Sequence, residues 1–240
     1  MIMQLSYKEL LKLFWKCIPW LFRVLITILK NAFKTAPTLK KCTQSWQEEK
    51  SDIIERANWL CKKIIIDPEQ LINEMPAILG PHFAGEWAIY SCSMLTAALS
   101  NISMLYPEEK PHNLERIEKI IDIILSPIIR KYDTESWGED ALETLDCNKS
   151  HMTYLSILAW TISNYKLVGG SDKYDTHFHK CCEALARRML KNEDLNLPSF
   201  PFSPIYIPDM MVAIVALGNY AKFYDTKYAD IVNQWIFQLQ

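Results

Sequence analysis

The chain has 240 residues, half of them hydrophobic and only six of them glycine, with a net charge of −2. That length supports one good core with a small appendage, and the composition favours a packed helical domain over a β-sandwich or a disordered chain. The charge is uneven: residues 1–42 hold eight Lys/Arg against one acid, Glu9, and the remainder holds 18 basic and 27 acidic residues, so the acidic body is a poor partner for nucleic acid.

The first predicted element is a basic amphipathic helix over residues 8–34. On a helical wheel with Lys8 at zero, Lys12 falls near ~40°, Lys16 near ~80°, Arg23 near ~60°, Lys30 near ~40° and Lys34 near ~80°. Six cations therefore share one stripe, and Leu11, Phe14, Trp15, Ile18, Leu21, Phe22, Leu25, Ile28 and Phe33 occupy the rest. This is the pattern of a helix lying in a membrane interface, where anionic lipid adds about 1 kcal/mol per cation. Two other placements stay open: packing on the chain's own domain or another subunit, and a true span, which Arg23 in mid-run disfavours. Pro19 kinks the helix or divides it. The charge runs through the apolar core instead of preceding it, unlike a cleaved signal peptide.

After this segment (residues 1–42), the body over 43–240 alternates two kinds of predicted helix. Residues 86–105, 151–168 and 209–223 carry almost no charge and are apolar nearly all round, so they should be buried. Each is followed by a charged, one-sided helix, at about 112–131, 174–191 and 227–239, and an earlier one occupies about 48–65. The connections alternate as well. Those from buried to exposed helices are short, whereas those at 66–85, 132–150 and 192–208 are long. All the long loops should then gather at one end, beside the N-termini of the buried helices, where function is commonly placed.

This alternation resembles the α/α toroid, in which inner and outer helices surround a central cavity. The likeness covers roughly residues 46–240. Several stretches look more particularly like bacterial proteins related to linalool dehydratase/isomerase. They are the His82–Glu86–Trp87 entry, the run Trp137-Gly138-Glu139-Asp140 with Glu143 and Asp146, His151 with Tyr154, and the Tyr206-Ile207-Pro208-Asp209 entry. Complete toroids contain more hairpins than this chain supplies. The expected fold is thus an all-α, incomplete or half toroid, with a second copy or another chain closing the ring. The resemblance implies lyase, isomerase or epimerase chemistry on an isoprenoid, lipid-linked or glycan substrate.

The candidate residues sit at the predicted mouth. Glu86 reads either as an acid/base group with His82 beside it or as a first-turn carboxylate complementing the helix dipole. Residues 132–150 collect Asp133, Glu135, Glu139, Asp140, Glu143 and Asp146 around Trp137. Carboxylates in a partly buried mouth have raised pKa values and suit proton transfer, but most of these six should be solvated or capping, with Ser150 capping the next helix. His151 suits general acid/base work, and Cys147 four residues earlier invites a thiolate–imidazole reading. Asp209 is a helix cap or a cavity carboxylate. The expected catalytic set is Glu86, Asp140, His151 and Asp209, with His82, Trp87, Trp137, Glu139, Tyr154, Phe202 and Tyr206 binding substrate.

The seven cysteines, at 17, 42, 61, 92, 147, 181 and 182, are odd in number and lie partly within apolar stretches. Reduced thiols in a cytoplasmic setting fit them better than disulfides. No C-x-x-C pair or Cys/His ladder marks a structural zinc site, Cys181-Cys182 with His177 and His179 reads as ordinary packing, and no phosphate loop or H-E-x-x-H appears. The sequence therefore leads to expecting no metal and no cofactor, and an enzyme peripheral to the inner face of the membrane. The competing expectation is a non-catalytic half-toroid whose groove binds a subunit or peptide.

Overall fold

The computed structural model describes residues 46–76 and 80–238, so the expected helix over 8–34 lies outside the described residues. The compact body is Asp52–Gln240; the described part of the preceding unit is Trp46–Ser51, the opening of a helix with Glu48 and Glu49 in its first turn. The elements are α1 (Trp46–Ile64), α2 (Pro68–Glu74), α3 (Pro81–Leu105), α4 (Lys110–Ile124), α5 (Pro127–Trp137), α6 (Met152–Leu167), α7 (Asp175–Met189), α8 (Ile207–Phe223) and α9 (Ala229–Gln238). The protein is all-helical, and no strand occurs among the described residues.

Helix α6 is the centre of the body. All of it except Trp160, Lys166 and Leu167 is buried, because α3, α4, α7 and α8 all pack against it. Helices α4 and α7 bury one face each, with Ile117, Ile120, Ile121 and Ile124 on the first and Phe178, Cys181, Cys182 and Leu185 on the second. The one-sided helices are as the charge pattern suggested, but of the three uncharged helices only α6 is buried nearly all round: α3 leaves Trp87 and Met94 exposed, and α8 leaves Met211 and Val215 exposed. Helix α3 holds a stretch, Phe83–Leu105, long and apolar enough to cross a membrane, yet more than half of its most apolar part is buried within the protein.

Side-chain bonds give the direction of the apolar helices. At one end the hydroxyls of Tyr90 on α3 and Thr153 on α6 both donate to Asp209 on α8. At the other, Ser100 on α3 donates to the Asn164 carbonyl at 3.2 Å, and Asn219 on α8 donates to Ser163 at 3.1 Å. Tyr90 and Ser100, Thr153 and Ser163, and Asp209 and Asn219 are each ten residues apart, about 15 Å along a helix. Helices α3, α6 and α8 therefore run parallel and in register, and α4 and α7 carry the chain back. The buried hydroxyls of Thr96, Ser103 and Thr161 are satisfied by carbonyls four residues earlier, at 3.1, 2.8 and 2.7 Å. They cost little despite their burial.

The boundaries differ where local chemistry overrides periodicity. The expected helix 112–131 is two helices. Pro127 cannot continue the ladder of α4, and Ser126 accepts the Ile129 N–H at 3.4 Å to start α5, so the chain turns there. Tyr132 and Asp133, expected in a loop, thus stand on a rigid helix that ends at Gly138 in the left-handed region (φ 74°). The loop expected over 66–85 contains α2, started by Asp67 accepting the amides of Glu69 and Gln70. Helix α3 begins at Pro81, which puts Glu86 beyond the first turn, so the helix-dipole role expected for it fails. Ser150 does not cap α6. His151 occupies the cap position at φ 47°, and the Ser150 hydroxyl has no hydrogen-bond partner among the described residues. A left-handed residue cannot aim a side chain at the amides of the first turn.

The core makes a direct prediction. Leu158, fully buried in the middle of α6, has no way to collapse the space that Leu158→Ala leaves, so urea denaturation should show a loss of about 2–5 kcal/mol. A loss under about 1 kcal/mol would mean that α6 is not central.

Candidate functional site

The N-terminal ends of α3, α6 and α8 meet α5 and the chain after α7, and two polar clusters form there. The first is built on Asp209. Its carboxylate is wholly buried in the first turn of α8 and accepts from the hydroxyls of Tyr90, of Thr153 at 2.6 Å and of Ser199 at 2.6 Å. Three separate chain segments thus satisfy one charge, as burial of a carboxylate requires. Glu86 lies one helical turn before Tyr90. Its carboxyl is pushed up to about 7, first by desolvation and then by the negative charge of Asp209. Near neutral pH this group is divided between acid and carboxylate, which suits it to giving and taking a proton. Burial and the bond to Asp209 push the Tyr90 phenol far above its usual value.

The second cluster is built on His151. The ring is fully buried, and its Nδ1 is hydrogen-bonded to Asp133 Oδ2 at 2.6 Å. Asp133, on α5, is wholly buried too, and its other oxygen has no hydrogen-bond partner among the described residues. Desolvation raises its pKa, although the bond to His151 works the other way. His151 Nε2 lies 3.5 Å from Glu139 Oε1, and Cys147 Sγ donates to that same oxygen at 2.6 Å. The thiol bond, against a smaller desolvation effect, and the bonds from Lys149 and His151 hold the Glu139 carboxyl down to about 2. The Trp137 ring lies 5.5 Å from the imidazole.

Tyr132 joins the clusters. It precedes Asp133 on α5, its ring fills the space over Gly85, and its surroundings include both Asp133 and Glu86. A Cβ at Gly85 would lie 2.8 Å from that ring, closer than carbon atoms pack, so Gly85 permits α3 to approach α5 next to Glu86. The Tyr132 hydroxyl is buried without a hydrogen-bond partner among the described residues. Phe200, after α7, meets the same ring edge-on at 6.5 Å.

Arg188 shapes the connection between α5 and α6. It is 1% exposed and its guanidinium donates to the carbonyls of Thr144, Leu145, Cys147 and Ser150 at 2.9–3.3 Å. A rigid five-donor fork suits this task as a lysine would not.

The expected site residues divide by position. Glu86 and Asp209 come together in one cluster, and His151, Glu139 and Trp137 in the other. Asp140 is committed elsewhere: it pairs with Arg130 at 2.6 Å and accepts the amides of Leu142 and Glu143. Burial pushes its pKa up, but Arg130 and the Leu142 amide outweigh that and hold it low. Tyr154 is buried with its hydroxyl on the Ile124 carbonyl at 3.0 Å, which turns it toward α4. Trp87 is half-exposed, Tyr206 is half-exposed near Tyr90, and Phe202 is fully exposed, so Phe200 and not Phe202 meets the Tyr132 ring. The side chain of His82 lies outside the described residues. Cys181 and Cys182 are wholly buried in the core, and burial pushes the Cys181 thiol up to about 12. A polar surface groove also lies between α1 and the first half of α4, lined in part by Asn58, Lys62, His112 and Arg116. It adjoins neither cluster.

Tyr90, Thr153, Ser199, Tyr132 and Arg188 were missed from the sequence. Tyr90 had a signal, since it lies four residues after Glu86 on the same helical face. Arg188 had none, because a buried arginine on a charged outer helix looks like its solvated neighbours.

The Glu86 environment has a measurable consequence. Its pKa rises from 4.5 to about 7 on folding, so the folded chain holds the proton more tightly. Its contribution to stability is complete below pH 4.5 and is lost as pH rises through 7. Glu86→Gln should therefore raise Tm at pH 8, by about 2–4 °C for each kcal/mol relieved, and leave Tm near wild type at pH 4.5. Equal Tm differences at both pH values would contradict the raised pKa.

No protein-family model matches the sequence, and no curated protein matches it.

Proposed function

We propose that the chain is an acid/base enzyme of lyase, isomerase or epimerase type, with Glu86 moving the proton. The observation that carries this reading is the half-buried Glu86 carboxyl beside the wholly buried Asp209 carboxylate. A carboxyl raised toward neutrality by burial and a neighbouring negative charge is suited to giving and taking a proton. Asp209, which accepts from three hydroxyl donors, positions and biases Glu86. The Asp133–His151–Glu139 cluster forms the second polar wall, suited to holding the oxygen of a substrate. Trp137, Tyr206 and Phe200 supply apolar surface near these groups. They favour an isoprenoid, lipid-linked or glycan substrate, in line with the toroid likeness.

The cationic stripe over residues 8–34 supports a place on an anionic, cytoplasmic membrane surface, which would bring a lipid-linked substrate to the mouth. A second reading has its own support. Trp87 and Met94, seven residues apart on α3, and Met211 and Val215, four apart on α8, leave large apolar side chains about half-exposed. Such stripes suit contact with a second copy or another chain that completes a ring.

Solvent hydrogen reports those reactions of these types in which a C–H bond is made or broken. Allylic alcohols, polyprenyl phosphates and glycosides, presented on anionic vesicles in deuterated buffer, should show deuterium incorporation by mass spectrometry in one class. Glu86→Gln should reduce it by about 100-fold or more, and deletion of residues 1–42 should slow it only for the vesicle-bound substrate. Incorporation unchanged by Glu86→Gln contradicts the assigned role, and no incorporation in any class favours the interaction reading.

A further inference from the structure

We propose that Glu139, Cys147 and His151 form a binding site for a single soft divalent cation, zinc by its ligand set. A carboxylate oxygen, a thiol sulfur and an imidazole nitrogen, all within 4.8 Å of one another, converge from the connection between α5 and α6. Mixed S, N and O donors of this kind select zinc over magnesium or calcium. Three protein ligands leave a fourth position for water or a substrate oxygen.

The surroundings of the three atoms also fit a metal. With Nδ1 bonded to Asp133 at 2.6 Å, Nε2 is the ring nitrogen turned toward the Glu139 carboxylate oxygen, 3.5 Å away. That separation is longer than a good hydrogen bond and leaves room for a cation between the two atoms. The gap is close to the ~3.3 Å that two ligands keep on a tetrahedral zinc with bonds of about 2.0–2.1 Å. An Asp–His pair behind the ligating nitrogen is the arrangement that fixes a metal-binding imidazole and strengthens it as a donor.

The cysteine side is poised in the same way. The thiol proton of Cys147 lies on Glu139 at 2.6 Å. A cation takes its place, with the sulfur–metal bond forming, the S–H bond breaking and one proton released to solvent. Cys147 and Glu139 must then separate by about 1 Å to reach the ~3.5 Å spacing of sulfur and oxygen on zinc. Both are partly exposed, so they have room to do so. Arg188 lies 3.8 Å from the sulfur, and Lys149 pairs with Glu139 through its other oxygen at 3.1 Å. The Arg188 fork on the carbonyls of Thr144, Leu145, Cys147 and Ser150 holds the loop in shape before any metal arrives. The expectation of no metal rested on the lack of a C-x-x-C or Cys/His ladder. Here the three ligands are spaced E-x7-C-x3-H, which matches no common zinc pattern, and only the fold brings them together.

The test uses the full chain with cobalt(II) chloride as a spectroscopic stand-in for zinc, followed by zinc competition. One equivalent of cobalt should produce thiolate-to-cobalt charge-transfer absorption, release one proton, and be displaced by zinc. Cys147→Ser should abolish the charge-transfer absorption. Glu139→Gln and Asp133→Asn should keep it while weakening binding by about 10–100-fold. Glu86→Gln should bind cobalt as wild type does, so failure here leaves the proton-transfer reading intact, and the reverse also holds. No charge-transfer absorption in the wild-type chain, or absorption that survives in a folded Cys147→Ser variant, overturns the proposal.

Discussion

The buried carboxylate of Asp209 is the interaction on which the arrangement of this protein depends. Removing a carboxylate from water costs several kcal/mol unless its lone pairs are met. Here they are met by hydroxyls from α3, α6 and the segment before α8. Each such bond to a charged acceptor contributes about 1.5–3 kcal/mol, so the charge is tolerated only if all three segments arrive together. The same requirement brings the N-termini of α3, α6 and α8 to one end of the bundle. A stability device therefore also gathers the two polar clusters at one end of the bundle.

Its electrostatic effect reaches beyond the three donors. An anion held in a poorly solvated place repels other anions nearby, and Glu86 feels this on top of its own desolvation. A carboxyl that would be ionised in water is thereby left half-protonated near neutral pH. On the neighbouring side the logic differs. Asp133, His151, Glu139 and Cys147 are linked by short hydrogen bonds and held by Arg188 gripping the backbone. Tyr132 ties the two sides together through its contact with Gly85. One cluster thus gathers two carboxyl groups, and the other gathers an imidazole, a thiol and two carboxyl groups.

Much of the fold was legible in the sequence because it rests on charge periodicity. Helices without charges had to be buried, helices with charges on one side had to cover them, and the alternation of short and long connections placed the long ones at one end. The boundaries were less legible. Ser126-Pro127 breaks a continuous apolar stripe, and the stripe alone gives no sign of it. In the site, Glu86, His151 and Asp209 stood out as titratable residues at the entry to uncharged helices. Their partners did not stand out. Tyr90, Thr153 and Ser199 are ordinary helix and loop hydroxyls until Asp209 is folded among them, and Asp133 looked like one of six loop acids until α5 made it rigid. Asp140 misled for the same reason: an acid in a loop does not declare whether it faces a substrate or, as here, Arg130.

The central claim is that the fold holds the Glu86 carboxyl near neutrality, and its direct measurement is a carbon-13 titration of the glutamate side-chain carboxyls. The Glu86 resonance would be assigned by its loss in Glu86→Gln. The account predicts a midpoint at about 7, clearly above those of the exposed glutamates. A Glu86 midpoint at the ordinary carboxylate value, in a chain that is folded at that pH, would contradict it.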